Sequence, residues 1–215
     1  MEQVKLAFKT KIGYSFGMLG ESLAINTFLI YFMFFLTDAV GIDPGIAGTI
    51  VVIGAVWGAF TDLLAGVRSD ASRNPKGKRR PFIFKSAVVL GIAIFLIYTD
   101  WGFIPMSVKP LYYVLILLIF YGGVSFADIP YQSLGSEITE DFGERVQIRS
   151  YANVINYAGM VLASSGSLTL VSFFVKNGST YSGAWSKVGL AFGIIAMLAY
   201  WLSALATKGK EPAND

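Results

Sequence analysis

Three carboxylates stand inside long apolar runs of this chain: Glu21 in GMLGESLA, Asp62 in WGAFTDLLAG and Asp128 in SFADIPYQSL. Counted at 1.5 Å per residue from the nearest basic turn, they lie roughly 8–14 Å into a bilayer. Asn153 and Asn156 fall in the same band, so four separate runs place acids or amides at one depth. A charge at the centre of a span costs about 2.5–3.5 kcal/mol even on the lenient insertion scale. No Lys or Arg occupies the middle of a run; Arg149, about one turn from Asn153, is the nearest cation and could reach toward Asp128. The acids therefore hold protons, bind a cation or face a watery cavity, and each option describes a pathway for an ion or solute. The plainer alternative is that one or more stays protonated as an interhelical hydrogen-bond donor. The chain has no Cys and no His, which leaves oxygen ligands that suit a hard cation such as Na⁺ and excludes soft metals. No Ser is paired with a His, no Gly-rich phosphate loop follows a strand, and no soluble domain surrounds the acids. An enzyme is not expected, nor is any cofactor beyond a coupling ion.

The elements that must carry these groups follow from composition. Of 215 residues 54% are hydrophobic and 14% charged, the balance of a membrane protein. A bilayer core needs roughly 20 apolar residues per helix. Six runs qualify, at about 12–36, 46–67, 81–98, 111–134, 147–175 and 185–206, and predict a single all-α domain of six transmembrane helices. The fifth is overlong and is expected to be tilted or frayed at its outer end. The N-terminus is charged and then hydrophobic with no small-residue cleavage site, so it reads as a retained first span. Lys5, Lys9, Lys11, the dense turn of Arg68, Arg73, Lys76, Lys78, Arg79 and Arg80, then Lys85, Arg145, Arg149, Lys208 and Lys210 all fall at one end. Only Lys109, Lys176 and Lys187 fall at the other, so both termini are expected in the cytoplasm. The basic turn is read as a topology anchor, with no nucleic acid as partner.

Polar residues are unevenly shared among the runs. The first carries Glu21, Ser22, Asn26 and Thr27, and the second Thr61 and Asp62; the third is nearly bare. The fourth carries Ser125, Asp128, Gln132 and Ser133, the fifth Asn153, Asn156, Ser164 and Ser165, and the sixth is again nearly bare. Polar, polar, apolar, repeated once with three reversals of direction, is the pattern of an inverted 3+3 repeat. Gly13, Gly17, Gly20, Gly54, Gly58, Gly122 and Gly123 are placed to let helix backbones approach closely.

The segments GYSFGMLGESLA, TDAVGI, WGAFTDLLAG, SDASRNPKGKRRPFI and SFADIPYQSL occur in that order over nearly the whole chain. Together they resemble the glycoside–pentoside–hexuronide:cation symporters, the melibiose permease-like branch of the major facilitator superfamily, over the first of that family's two six-helix halves. The resemblance implies a cation site between the second and fourth helices, carried onto Gly58, Thr61, Asp62 and Ser125, with Na⁺ or H⁺ at Asp62. Gly58 replaces one of the family's two acids there, which weakens a hard-cation site and favours H⁺ or no coupling. It also implies sugar contacts at Asp128, at Ser22 with Glu21 adjacent, at Gln132 where the family has Trp, and at Ala152 where it has Arg, with Asn153 and Asn156 beside them. The basic turn maps onto the family's cytoplasmic loop at Gly66, Asp70, Arg73, Gly77, Lys78, Arg79, Arg80 and Pro81.

These readings predict a half-size secondary transporter in a bacterial inner membrane. It would move a sugar-like solute by alternating access with a second six-helix half, as a homodimer or with a separately encoded partner. The alternative is a truncated or degenerate half that serves as a non-transporting membrane module or assembly subunit.

Overall fold

The computed structural model describes residues 6–75 and 77–211; Lys5 and Lys76, counted above among the basic residues, lie outside the described residues. Among the described residues six helices are long and apolar enough to cross a membrane: α1 Phe8–Ala39, α2 Pro44–Asp70, α3 Arg80–Ile97, α4 Lys109–Glu137, α5 Phe142–Lys176 and α6 Tyr181–Ala206. Several begin before their apolar runs because the caps lie farther out. Asp43 accepts from the backbone N–H of Gly45 and Ile46, with Pro44 in the first turn. Asp141 accepts from the N–H of Glu144, and Thr180 from that of Gly183. Each cap satisfies donors that a helix start leaves open. At the other end of α2 the helix passes Gly66 without a break and continues to Asp70.

The fifth span is not frayed. It is helical from Phe142 to Lys176, with a π-helical turn at Leu162–Gly166. That turn breaks the ordinary ladder of backbone bonds, and the Ser164 carbonyl there accepts from the Tyr31 hydroxyl of α1. A matching π-helical turn, Phe35–Ala39, ends α1.

The helices pack in an orderly set of neighbours. α3 lies against α6 and α4, α6 also against α1, α1 against α5, and α4 against α2. Exchanging α1 with α4, α2 with α5 and α3 with α6 returns these pairings, as an inverted 3+3 repeat requires, and the outer end of α5 adds a contact with α6 outside that symmetry. The two nearly bare helices, α3 and α6, are not simply lipid-facing: they meet backbone to backbone, and a Cβ on Gly193 would lie 2.3 Å from the Gly91 carbonyl oxygen. α2 and α5 flank the set and are the least covered, with 28% and 22% of their most apolar windows buried against 44–50% for the others.

At the centre α1 and α4 hold each other. The rings of Tyr14 and Tyr131 stack with centroids 4.5 Å apart. The Tyr14 hydroxyl donates to the Tyr131 carbonyl at 3.1 Å, and the Tyr131 hydroxyl to the Tyr14 carbonyl at 3.2 Å. Gly135 leaves room for Tyr14 and Gly17 for Tyr131; a Cβ on either would fall 2.0 Å and 2.3 Å from those side chains. Gly122, by contrast, packs against nothing within 4 Å and is no packing glycine. Gly135→Ala is therefore expected to lower unfolding stability by about 1–3 kcal/mol, the usual cost of overpacking. Gly122→Ala should leave it unchanged, and thermal unfolding of the two variants in detergent checks the contrast.

Candidate functional site

Glu21 and Asn156 meet where α1 packs on α5. The Asn156 side-chain amide donates to Glu21 Oε2 at 3.2 Å. One residue on, Ser22 is buried and donates to the Asn156 carbonyl at 2.9 Å, while Asn26 donates back to the Ser22 carbonyl and hydroxyl. Ser22 is thus engaged in joining two helices and does not face open space. The contact is close because α5 presents Gly159 there; a Cβ on it would lie 2.8 Å from that of Ser22. Asn153 is exposed and makes no hydrogen bond among the described residues. Ala152 is buried at 1% exposure, so the position corresponding to the family's Arg points into the packing of α5.

Asp128 is reached from the other side. On α4, Gln132 lies one turn beyond it and donates to Asp128 Oδ1 at 3.3 Å. The Arg149 guanidinium of α5 donates to the Gln132 side-chain oxygen, and at 3.3 Å to the Gln132 carbonyl. Arg149 therefore does approach Asp128 as expected, but through an intervening amide. Asp128 lies within the electrostatic reach of Glu21, Asp62 and Arg149, and Glu21 within that of Arg149. One cation on α5 thus faces carboxylates on α1 and α4.

Of the residues expected to form a cation site, Thr61 and Ser125 meet, and Asp62 lies apart from them. The hydroxyls of Thr61 and Ser125 are buried and 2.8 Å apart, bridging α2 and α4, and Thr61 also donates to the Gly58 carbonyl. Asp62 sits on the exposed side of α2 and makes no hydrogen bond or ion pair among the described residues. The place a side chain at Gly58 would take is filled by Tyr121: a Cβ there would lie 2.5 Å from the ring. Tyr121 also flanks Gly54 and lies within electrostatic reach of Asp62. Nothing in the apolar pattern singled it out, since an aromatic residue in a span is unremarkable until its neighbour is a glycine.

At the basic end the loop residues divide by role. Arg79 is 4% exposed and bridges Asp70 of α2 at 2.5 Å and Glu137 of α4 at 2.6 Å, while donating to Ser69 Oγ at 2.7 Å. Burial works against its charge, but the Glu137 and Asp70 carboxylates outweigh that and hold its pKa above the ordinary value. Gly77 supplies a backbone φ of +118°, and Glu211 accepts from the N–H groups of Arg79 and Arg80. Pro81 follows in the first turn of α3. Arg73 is exposed and Lys78 half-buried. On the neighbouring helices Lys11 pairs with buried Glu144 at 2.9 Å, and Glu144 also accepts from the Leu6 N–H. The start of α1, the α2–α3 and α4–α5 connections and the C-terminal segment thus share one end of the molecule.

Six apolar spans paired as two exchangeable triplets, with acids inside α1, α2 and α4, define one half of a major facilitator fold. The chain belongs to the MFS/sugar transport protein family, whose model matches residues 13–215. It is 28% identical to the uncharacterized symporter sll1374 of Synechocystis over 97% of this chain and 39% of that protein. It is 31% identical to the inner membrane symporter YicJ of Escherichia coli, over 80% of this chain and 37% of that one. The isoprimeverose transporter of Lactiplantibacillus pentosus is 26% identical over 92% of this chain and 41% of its own length. The chain spans about two fifths of the length of these relatives. The family and these relatives are transporters, not enzymes, and the chain is a multi-pass integral membrane protein.

The closure of the Gly58 position can be measured. Gly58→Asp is expected to destabilise the unit by about 1–3 kcal/mol because Tyr121 must move. Tyr121→Ala in the same chain should relieve most of that loss. A double-mutant cycle on thermal unfolding showing simple additivity would contradict the contact.

Proposed function

We propose that this six-helix unit is one half of a secondary transporter that moves a glycoside or related sugar-like solute by alternating access. The observation that carries the reading is a charge imbalance at membrane depth. Glu21 and Asp128, on α1 and α4, have amide partners in Asn156 and Gln132 but no ion pair among the described residues, where Asp62 has neither an amide nor a cation. Buried or membrane-embedded carboxylates need a counter-charge, and a proton, an ion or a polar solute can supply it. The hydroxyl-rich class of solute is supported by the amides and acids gathered there, and by relatives named as an isoprimeverose transporter and a glycoside/cation symporter.

The second six-helix unit faces the flank formed by α2 and α5. Those helices are the least covered yet carry Asp62 and Asn153 exposed, and such groups are costly against lipid. That unit is a second copy of this chain, a separately encoded half or a further stretch of the same polypeptide. The basic end faces the cytoplasm of a bacterial cell, its inner leaflet anchoring the loop around Arg79. For coupling the reading favours H⁺ over Na⁺ at Asp62. Tyr121 occupies the space of a second acid, and the Thr61 and Ser125 hydroxyls already bond to each other. Proton occupancy of Asp62 would bias the equilibrium between inward- and outward-open states.

Uptake of labelled glycosides by proteoliposomes containing both six-helix units tests this. Asp128→Asn is expected to lower uptake by about tenfold or more, the loss of a charge-assisted hydrogen bond. Asp62→Asn should abolish the response to a pH gradient while leaving the protein folded. Uptake that remains fully ion-coupled in Asp62→Asn, or that follows a Na⁺ gradient alone in the parent, overturns the assignment of the coupling group.

A further inference from the structure

A groove of about 390 Å³ lies between α3 and α4, away from the acids. It is lined by Phe82, Val89, Ile119, Gly122 and Phe126, with Lys85 as the charged residue in its wall. Its floor exists because Gly122 has no side chain; a Cβ there would meet nothing within 4 Å. Its end toward the basic loop is walled by the stacked rings of Phe82 and Phe126, centroids 6.3 Å apart. Val89 and Ile119 are 44% and 47% exposed, so the groove opens on the surface that meets lipid. Ser86, also in the wall, donates to the Phe82 carbonyl and presents no unmet donor.

Lys85 is the unexplained group. It is exposed, and among the described residues it makes no hydrogen bond or ion pair. It lies five residues past Arg80 on α3, about 7–8 Å into the helix at 1.5 Å per residue. From that depth a lysine stem can follow apolar surface while its ammonium turns back to the phosphate layer. No carboxylate lines the groove to neutralise it. An apolar trough with a cation unpaired among the described residues at its interfacial end complements an amphiphile with a hydrocarbon tail and a negative head.

We propose that this groove is a binding site for an anionic phospholipid, with an acyl chain along Gly122 and Val89 and its phosphate at Lys85. The site rests on the membrane embedding of α3 and α4 and not on the transport reading. Native mass spectrometry of the purified chain, loaded with phosphatidylglycerol or phosphatidylcholine and progressively delipidated, tests it. Phosphatidylglycerol should be retained in preference to phosphatidylcholine. Lys85→Gln should reduce its retention about fivefold, the effect of one basic residue on anionic-lipid association, and Lys85→Arg should restore it. Gly122→Leu, which fills the groove where there is room for a side chain, should reduce retention of both lipids with thermal stability unchanged. Equal retention of the two lipids by the parent, or unaltered phosphatidylglycerol retention in both Lys85→Gln and Gly122→Leu, overturns the proposal.

Discussion

Inside a bilayer every polar group must find its partner within the protein, and this constraint organises the whole unit. It is met first between helices rather than along them. Tyr14 and Tyr131 exchange hydroxyl-to-carbonyl bonds across α1 and α4, Ser22 ties α1 to α5, and Thr61 and Ser125 tie α2 to α4. The first two of these contacts use a small residue on the facing helix, Gly135 against Tyr14 and Gly159 against Ser22, that lets the helices approach. Polar bonds and glycines therefore act together: the glycine brings the helices close, and the hydroxyl makes the closeness specific.

The constraint is only partly met at the carboxylates, as at the Thr27, Tyr200 and Ser203 hydroxyls, which are buried with no hydrogen-bond partner among the described residues. Glu21 has the Asn156 amide and Asp128 has the Gln132 amide, with Arg149 completing a relay from α5 to α4. Asp62 has neither an amide nor a cation among the described residues. The unit is thus polarised, with amide-partnered acids where α1 and α4 meet α5 and, among the described residues, an acid without such a partner on the flank at α2. By contrast the basic end is densely paired. The buried Arg79 guanidinium joins α2 and α4 while its backbone N–H holds Glu211 of the C-terminal segment, and Glu144 joins Lys11 and Leu6 to the start of α5.

Much of this was legible in the chain itself. Acids within apolar runs marked Glu21, Asp62 and Asp128 because ionisable groups there have few innocent explanations. The order of polar and bare runs anticipated a repeat whose symmetry is visible only in which helices touch. Other features were not legible, for physical reasons. In a span nearly every face is apolar, so periodicity does not separate a lipid-facing position from a packed one, and Gly122 and Gly123 looked alike. Ser22 and Ala152 were assigned by position to the solute, yet one bonds α5 and the other is packed away. Tyr14, Tyr131 and Tyr121 escaped notice because a tyrosine's role depends on what faces it. Glu137 and Glu211 were missed because their partner, Arg79, lies far away in sequence.

The π-helical turn at Leu162–Gly166 has an effect beyond accommodating extra length. Below it, Phe142–Val161 packs on α1; above it, Ser167–Lys176 packs on α6. An inserted residue rotates everything that follows around the helix axis, so one continuous rod can dock against two neighbours that a regular helix could not both meet. The turn works as a phase shifter between the segment that packs on α1 and the segment that packs on α6.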